Sequence, residues 1–179
     1  MAHPIKHFIT ITRHRHMVIR HCFKAGIGWQ GLFHDLSKYS PTEFIPGAKY
    51  YAGDKSPNVG ERRERGYSIA WLHHQGRNRH HFEYWMDYSM ASGVRTRVPI
   101  EMPTNYLVEM FCDRVAACKI YMGEKYTDAS GWQYYDKNRD AYIIHPATRL
   151  ALEELLIMLR DEGEDRTFEY IRREMLHKG

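Results

Sequence analysis

Several features that assign a protein to a class quickly are scarce or missing in this sequence. There are three cysteines, Cys22, Cys112 and Cys118, an odd number with no C-x-x-C pair. Neither a disulfide framework nor a thiolate zinc site is suggested, and Cys118 reads as a small buried apolar residue. No apolar run is long enough to span a bilayer. The N-terminal MAHPIKHF has no apolar segment of the signal-peptide kind, so the cytoplasm is the expected location and no membrane partner is expected. No Lys/Arg block is long enough to read as a nucleic-acid arm. The densest basic stretch, GERRERGY at 60–67, is diluted by glutamates and reads as a solvated helix face. Internal repeats and low-complexity linkers are lacking as well. What remains is an ordinary globular composition, 43% hydrophobic and 27% charged over 179 residues. That length suits one domain with a sizeable core. The formal charge of +4 fits a small anionic substrate and gives no specific indication of nucleic acid.

One residue type is in excess. Twelve histidines occur, and four of them form the adjacent pairs His73–His74 and His80–His81. Chance near a terminus accounts for His3 and His7 more easily than for these two pairs.

Apart from turns, the chain reads as helix. Residues 5–25 place Phe8, Ile11, Val18 and Cys22 near one face, with Gly26 and Gly28 ending the helix. A short helix follows over about 29–38. SPTE at 40–43 signals another helix start, with Ser40 as N-cap, Pro41 at the first helical position and Glu43 closing a capping box; Pro46 limits it. Residues 60–74 and 80–90 read as helices broken by QGRN. The longest loop, 91–103, contains Gly93, Pro99 and Pro103. Helices over 104–122, 146–162 and 165–177 follow, the first two ending at Gly123 and Gly163. No strict alternation argues for a sheet. The expected class is all-α, a compact single-domain helical bundle over 1–179. Its polar interior lies in about 5–122, and further helices fill about 128–178.

Helical geometry selects the polar residues that face inward, because positions three and four apart share a face. Asp113 has Tyr106, Met110, Ala117 and Ile120 as face neighbours. A carboxylate there needs a counter-charge, a proton or a metal; the plain alternative is a salt bridge, for example to Arg114. His14 lies among Ile11, Met17 and Val18, with His21 two turns on as a substitute. His34–Asp35 in GLFHDLSKYSPTEF sets an imidazole beside a carboxylate. Such a donor set suits Fe, Mn, Zn or Co, whereas Mg prefers an all-oxygen shell. Lys38, one turn beyond His34 and Asp35, is placed to meet an anion held there.

The order His14 … His34–Asp35 … Asp113 on separate helices resembles the HD-domain superfamily of metal-dependent phosphohydrolases, and HDLSK resembles its His-Asp-x-x-Lys segment. WLHHQGRNRHHFEYW and EMFCDRVAACKIYMGEKYTD resemble a group of small, functionally uncharacterised members. The resemblance implies a helical bundle of the HD-domain type and a divalent metal held by His14, His34, Asp35 and Asp113. Histidines in the interval imply a second ion, with Asp35 bridging. His73 is preferred to His74 because it shares a face with Ile69 and neighbours Leu72. His80 is preferred to His81 because it can swing from a helix start, while His81 faces Tyr84, Trp85 and Tyr88. The implied activity is hydrolysis of a nucleotide or another small phosphorylated substrate. Asp35 and Lys38 would be catalytic, and Lys38 and Arg77 would hold phosphate oxygens. Glu43 and Glu83 are candidates for supporting a ligand or moving a proton, with capping the simpler role for Glu43. Tyr84, Trp85 and Tyr88 read as core or as a pocket wall. The same ligand order is that of diiron oxygenases of the myo-inositol oxygenase type. A non-enzymatic metal or nucleotide sensor is the third reading.

Overall fold

Pro4 opens the first helix, where its missing N–H costs nothing, and Gly26 closes it in the left-handed conformation at φ 92°. This helix, α1 (Pro4–Ala25), buries His7, Ile11, His14, Val18, Cys22 and Ala25 at spacings of three and four. The buried stripe therefore mixes imidazoles with aliphatics. Phe8, expected among the inward residues, instead lies on the rim, half exposed and edge-on to Tyr39. The structure, a computed structural model, describes residues 2–176, so His177 at the expected end of the last helix lies outside the described residues.

A single helix over 29–38 does not form. A short helix, α2 (Gly28–Gly31), folds back on α1 and gives way to a turn, and Leu36–Tyr39 make one 3-10 turn. Two local causes are visible. A Cβ at Gly31 would fall 2.4 Å from the Cβ of Cys22, so only glycine permits this close approach. Arg15 of α1 then donates from Nε to the carbonyl of His34 at 3.1 Å, and from its terminal nitrogen to that of Leu32. Asp35 adopts φ 54° and is the only non-glycine residue with positive φ among the described residues. Aspartate tolerates this region better than most side chains.

The next helix, α3 (Pro41–Lys49), runs through Pro46 rather than stopping there; the carbonyl that Pro46 leaves unbonded belongs to Thr42, an exposed residue. The expected helix over 60–74 is two, α4 (Pro57–Arg65) and α5 (Ile69–Gln75), separated by Gly66 at φ 82°. Ser68 caps α5, accepting from the amide of Trp71 at 3.0 Å. The expected helix over 80–90 is also corrected. Phe82–Tyr84 form a 3-10 turn, and β1 (Met86–Ser89) pairs antiparallel with β2 (Thr96–Pro99), Met86 opposite Pro99 and Ser89 opposite Thr96. Four-residue strands are too short for alternation to show in the sequence.

The helices α6 (Thr104–Met122), α7 (Ser130–Asn138), α8 (Pro146–Glu162) and α9 (Glu164–Tyr170) follow, with 3-10 turns over Gly123–Lys125 and Arg139–Ala141 and a wider turn over Ile171–Met175. The class is all-α with one small hairpin. Phe111 and Val115 of α6 are fully buried with Val18 and Cys22 of α1, Leu152, Leu155, Leu156 and Leu159 of α8, and Phe168 and Ile171. Removing each such aliphatic or aromatic side chain from water contributes about 1.5–3 kcal/mol. This apolar mass braces α6, and α6 packs directly on α1.

Gly31→Ala tests the α1–α2 approach. The added methyl meets the Cβ of Cys22, so the urea midpoint should fall by the equivalent of about 1–3 kcal/mol, the usual cost of overpacking. An unchanged midpoint would mean that α2 is free to move away.

Candidate metal centre

Five separate segments deliver imidazoles and carboxylates to one buried place. Helix α1 brings His14, the turn after α2 brings His34 and Asp35, α5 brings His74, the stretch after it brings His80 and His81, and α6 brings Glu109 and Asp113. Asp35 and His34 are each 1% exposed, so neither relies on bulk water for its charge or its hydrogen bonds.

Asp35 is shared between two groups, and its two oxygens divide between them. Oδ2 lies 3.2 Å from Nε2 of His34 and 3.9 Å from Nε2 of His14. Asp113 closes that group, its Oδ1 at 2.9 Å from His14 Nε2 and 3.5 Å from His34 Nε2. On the other side, Oδ1 of Asp35 lies 3.3 Å from Nε2 of His74 and 3.4 Å from Nε2 of His80. In each of the groups His14–His34–Asp35–Asp113 and Asp35–His74–His80–His81, one ligand atom per residue lies within 4.8 Å of every other. Either group could hold a metal ion.

A second ring of carboxylates fixes which nitrogen faces inward. Glu109 Oε1 lies 2.9 Å from Nδ1 of His34 and 3.2 Å from Nδ1 of His80. Glu43 Oε2 lies 2.7 Å from Nδ1 of His74. An ionised carboxylate only accepts, so each Nδ1 carries the proton and donates it. Each Nε2 then presents a lone pair to the centre. Nε2 of His34, His80 and His81 has no hydrogen-bond partner, and neither does Oδ1 of Asp35. Buried lone pairs facing one another without a donor are unfavourable, and a cation satisfies them together. The donor set therefore fits a divalent transition metal of the Fe, Mn, Co or Zn kind better than Mg.

The electrostatics agree. Burial tends to lower the pKa of His34, but Asp35, Asp113 and Glu109 outweigh it and hold the imidazole well above its ordinary value, so a metal ion at Nε2 takes the place of a proton there. The same carboxylates attract any cation placed there. Burial opposes ionisation of Asp35, yet His34, Lys38 and His74 hold its carboxyl well below the usual range. Glu109 is held at about 2, burial again being overcome by His34 and His80. Lys38 Nζ pairs with Asp35 Oδ2 at 2.5 Å, and Lys38 lines a neighbouring cavity of about 630 Å³.

The structure thus brings together His14, His34, Asp35, His80 and Asp113, with Lys38 beside them. Two expectations are corrected. His74 occupies the place expected for His73, while His73 gives its Nδ1 to Glu43 Oε1 at 2.6 Å outside the cluster. Arg77, in the turn after α5, is exposed and reaches the carbonyl of His73 in that helix, and it does not line the cavity. Glu43 supports the imidazoles instead of capping α3, and Ser40 Oγ is buried without a partner. Tyr84, Trp85 and Tyr88 do not line the cavity; Trp71 does, with Glu83. Cys118 is half-buried at its wall. Sequence reasoning prefers His80 to His81, and the structure brings both to the cluster; it misses Glu109, although Glu109 lies one helical turn before Asp113 and shares its face.

The model of the family of unknown function DUF5662 matches residues 3–158. The chain belongs to this family. The match takes in every residue of the cluster, from His14 to Asp113, and ends within α8. No curated protein and no solved structure matches the chain. Among the described residues no helix is long and apolar enough to cross a membrane.

Glu109→Gln tests the outer ring. The amide keeps the shape but removes the charge that sets two imidazoles at once. Metal affinity measured against a chelator should fall by about 10–100-fold, the usual effect of losing such a partner. Affinity equal to wild type, in a variant with the same circular dichroism, would show that Glu109 does not orient these histidines.

Proposed function

We propose that this protein is a metal-dependent phosphohydrolase of the HD-domain kind, acting at a two-metal centre on a nucleotide or another small phosphorylated compound. The observation that carries the reading is the division of Asp35, whose two oxygens face two different histidine groups. His14, His34, Asp35 and Asp113 would hold one ion, and Asp35, His74, His80 and His81 the other. A pair of divalent cations supplies Lewis acidity toward a phosphoryl oxygen and makes water nucleophilic at neutral pH.

The chain's own residues do the rest. Glu109 and Glu43 keep the imidazole lone pairs inward by accepting at Nδ1. Lys38 has no lone pair while charged and so serves an anion rather than a metal ion. Its ammonium already sits against Asp35 and opens onto the cavity, where a phosphoryl oxygen would receive a charge-assisted hydrogen bond. The cavity's size lies within the range of small-molecule sites. A set of four or more histidines and two aspartates would also serve a diiron oxygenase. Lys38, held against Asp35 at the cavity, favours an anionic substrate over a neutral polyol.

The test is phosphate release from nucleoside monophosphates and sugar phosphates by protein loaded in turn with manganese, cobalt, zinc and iron. Lys38→Met should keep its metal and its fold and lose about tenfold or more in kcat/KM, as expected for a charge-assisted bond of ~1.5–3 kcal/mol. Equal kcat/KM in Lys38→Met would remove Lys38 from the reaction. Oxygen consumption by an iron-loaded protein that releases no phosphate would replace the hydrolase reading with the oxygenase one.

A further inference from the structure

The cavity carries two positive charges that the hydrolysis proposed above does not use. Arg62 projects from α4 and Arg114 from α6, and both line the cavity with Tyr134 and Tyr142. The other cavity cations have carboxylate partners, Lys38 with Asp35 and Lys55 with Asp54 at 3.9 Å. Among the described residues Arg62 and Arg114 form no ion pair. Aromatic faces hold them instead. The Arg62 guanidinium lies 5.5 Å from the centre of the Trp71 ring, and that of Arg114 lies 5.4 Å from the centre of Tyr142.

A guanidinium held over an aromatic ring keeps N–H donors to offer a planar anion. Nε of Arg114 is shielded from solvent and has no hydrogen-bond partner, an unfavourable state that an acceptor relieves. Both arginines line the same cavity, and the charge of each bears on Glu83 and Tyr134. Burial raises the pKa of the Glu83 carboxyl, which weakens it as a counter-charge to the two arginines.

We infer that Arg62 and Arg114 form a second anion-recognition site, so that the substrate carries another anionic group, a phosphate or a carboxylate, apart from the phosphoryl group presented at Asp35. The inference rests on the hydrolase reading for its geometry. Bidentate binding by two arginines would make the second group a main source of specificity.

The experiment compares α,ω-alkanediol bisphosphates of two to eight carbons with alkyl monophosphates of the same lengths on the manganese-loaded protein. At one chain length the bisphosphate should be preferred by about tenfold or more in kcat/KM, one bidentate contact's worth. In Arg62→Met and in Arg114→Met that preference should shrink toward one. Arg62 is exposed on α4, so its substitution remains readable if Arg114→Met fails to fold. Equal kcat/KM for both series at every length overturns the inference. If added inorganic phosphate raises the monophosphate rate to the bisphosphate rate, the site takes a separate anion, and the claim about the substrate is overturned. Should neither series be hydrolysed, the hydrolase reading fails, and calorimetric binding to the metal-free protein decides the arginines separately. Tighter binding of a bisphosphate than of its monophosphate, lost in Arg62→Met, upholds the anion site; equal binding overturns it.

Discussion

Burial of the Asp35 carboxylate organises the structure around the cluster. A carboxylate that is 1% exposed survives only with compensation on every side. Its backbone is held in the left-handed region, which costs on the order of 1 kcal/mol and directs its two oxygens to two groups of imidazoles. Lys38 balances one oxygen. The glycines of α2 and the side chain of Arg15 hold the turn that carries it. Glu43 of α3 and Glu109 of α6 then fix imidazoles that face it.

The two halves of the chain divide the work. Helices α7 to α9 supply apolar mass, and α6 transmits their rigidity to the site because it has two characters. Phe111 and Val115 belong to the core, while Glu109 and Asp113 face the cluster. Helix α1 is built the same way, with His7, His14 and His21 seven residues apart among Ile11, Val18 and Cys22. Polar ligands placed on helices that are themselves locked in a core lose little on ordering. The cavity beside them draws on α4 and α5, which contribute Arg62 and Trp71.

The long helices were legible because α1, α6 and α8 combine helical periodicity with glycine stops, and the inward faces of α1 and α6 pointed to His14 and Asp113. The turn at 32–35 was not legible. It depends on the contact of Gly31 with Cys22 and on Arg15, partners that local pattern does not reveal. The preference for His73 failed for a specific reason. Ile69 and Leu72 were read as marking the inside, yet they are 43% and 56% exposed, and the small Ala70 is buried on the side of His74. Glu109 was hidden because its neighbours Leu107, Val108 and Met110 are all buried, so hydrophobicity did not distinguish one face of that segment. The hairpin at 86–99 was missed because its strands have only four residues each.

The central claim is that Asp35 is shared by two ions, and elemental analysis of wild type and Asp35→Asn measures it most directly. Asparagine keeps the shape and tolerates positive φ, so the variant isolates the charge. The account predicts two transition-metal ions per chain in wild type and the loss of both in Asp35→Asn, with circular dichroism showing both proteins folded. A wild type that binds no metal, or a variant that keeps one ion at undiminished affinity, would contradict it.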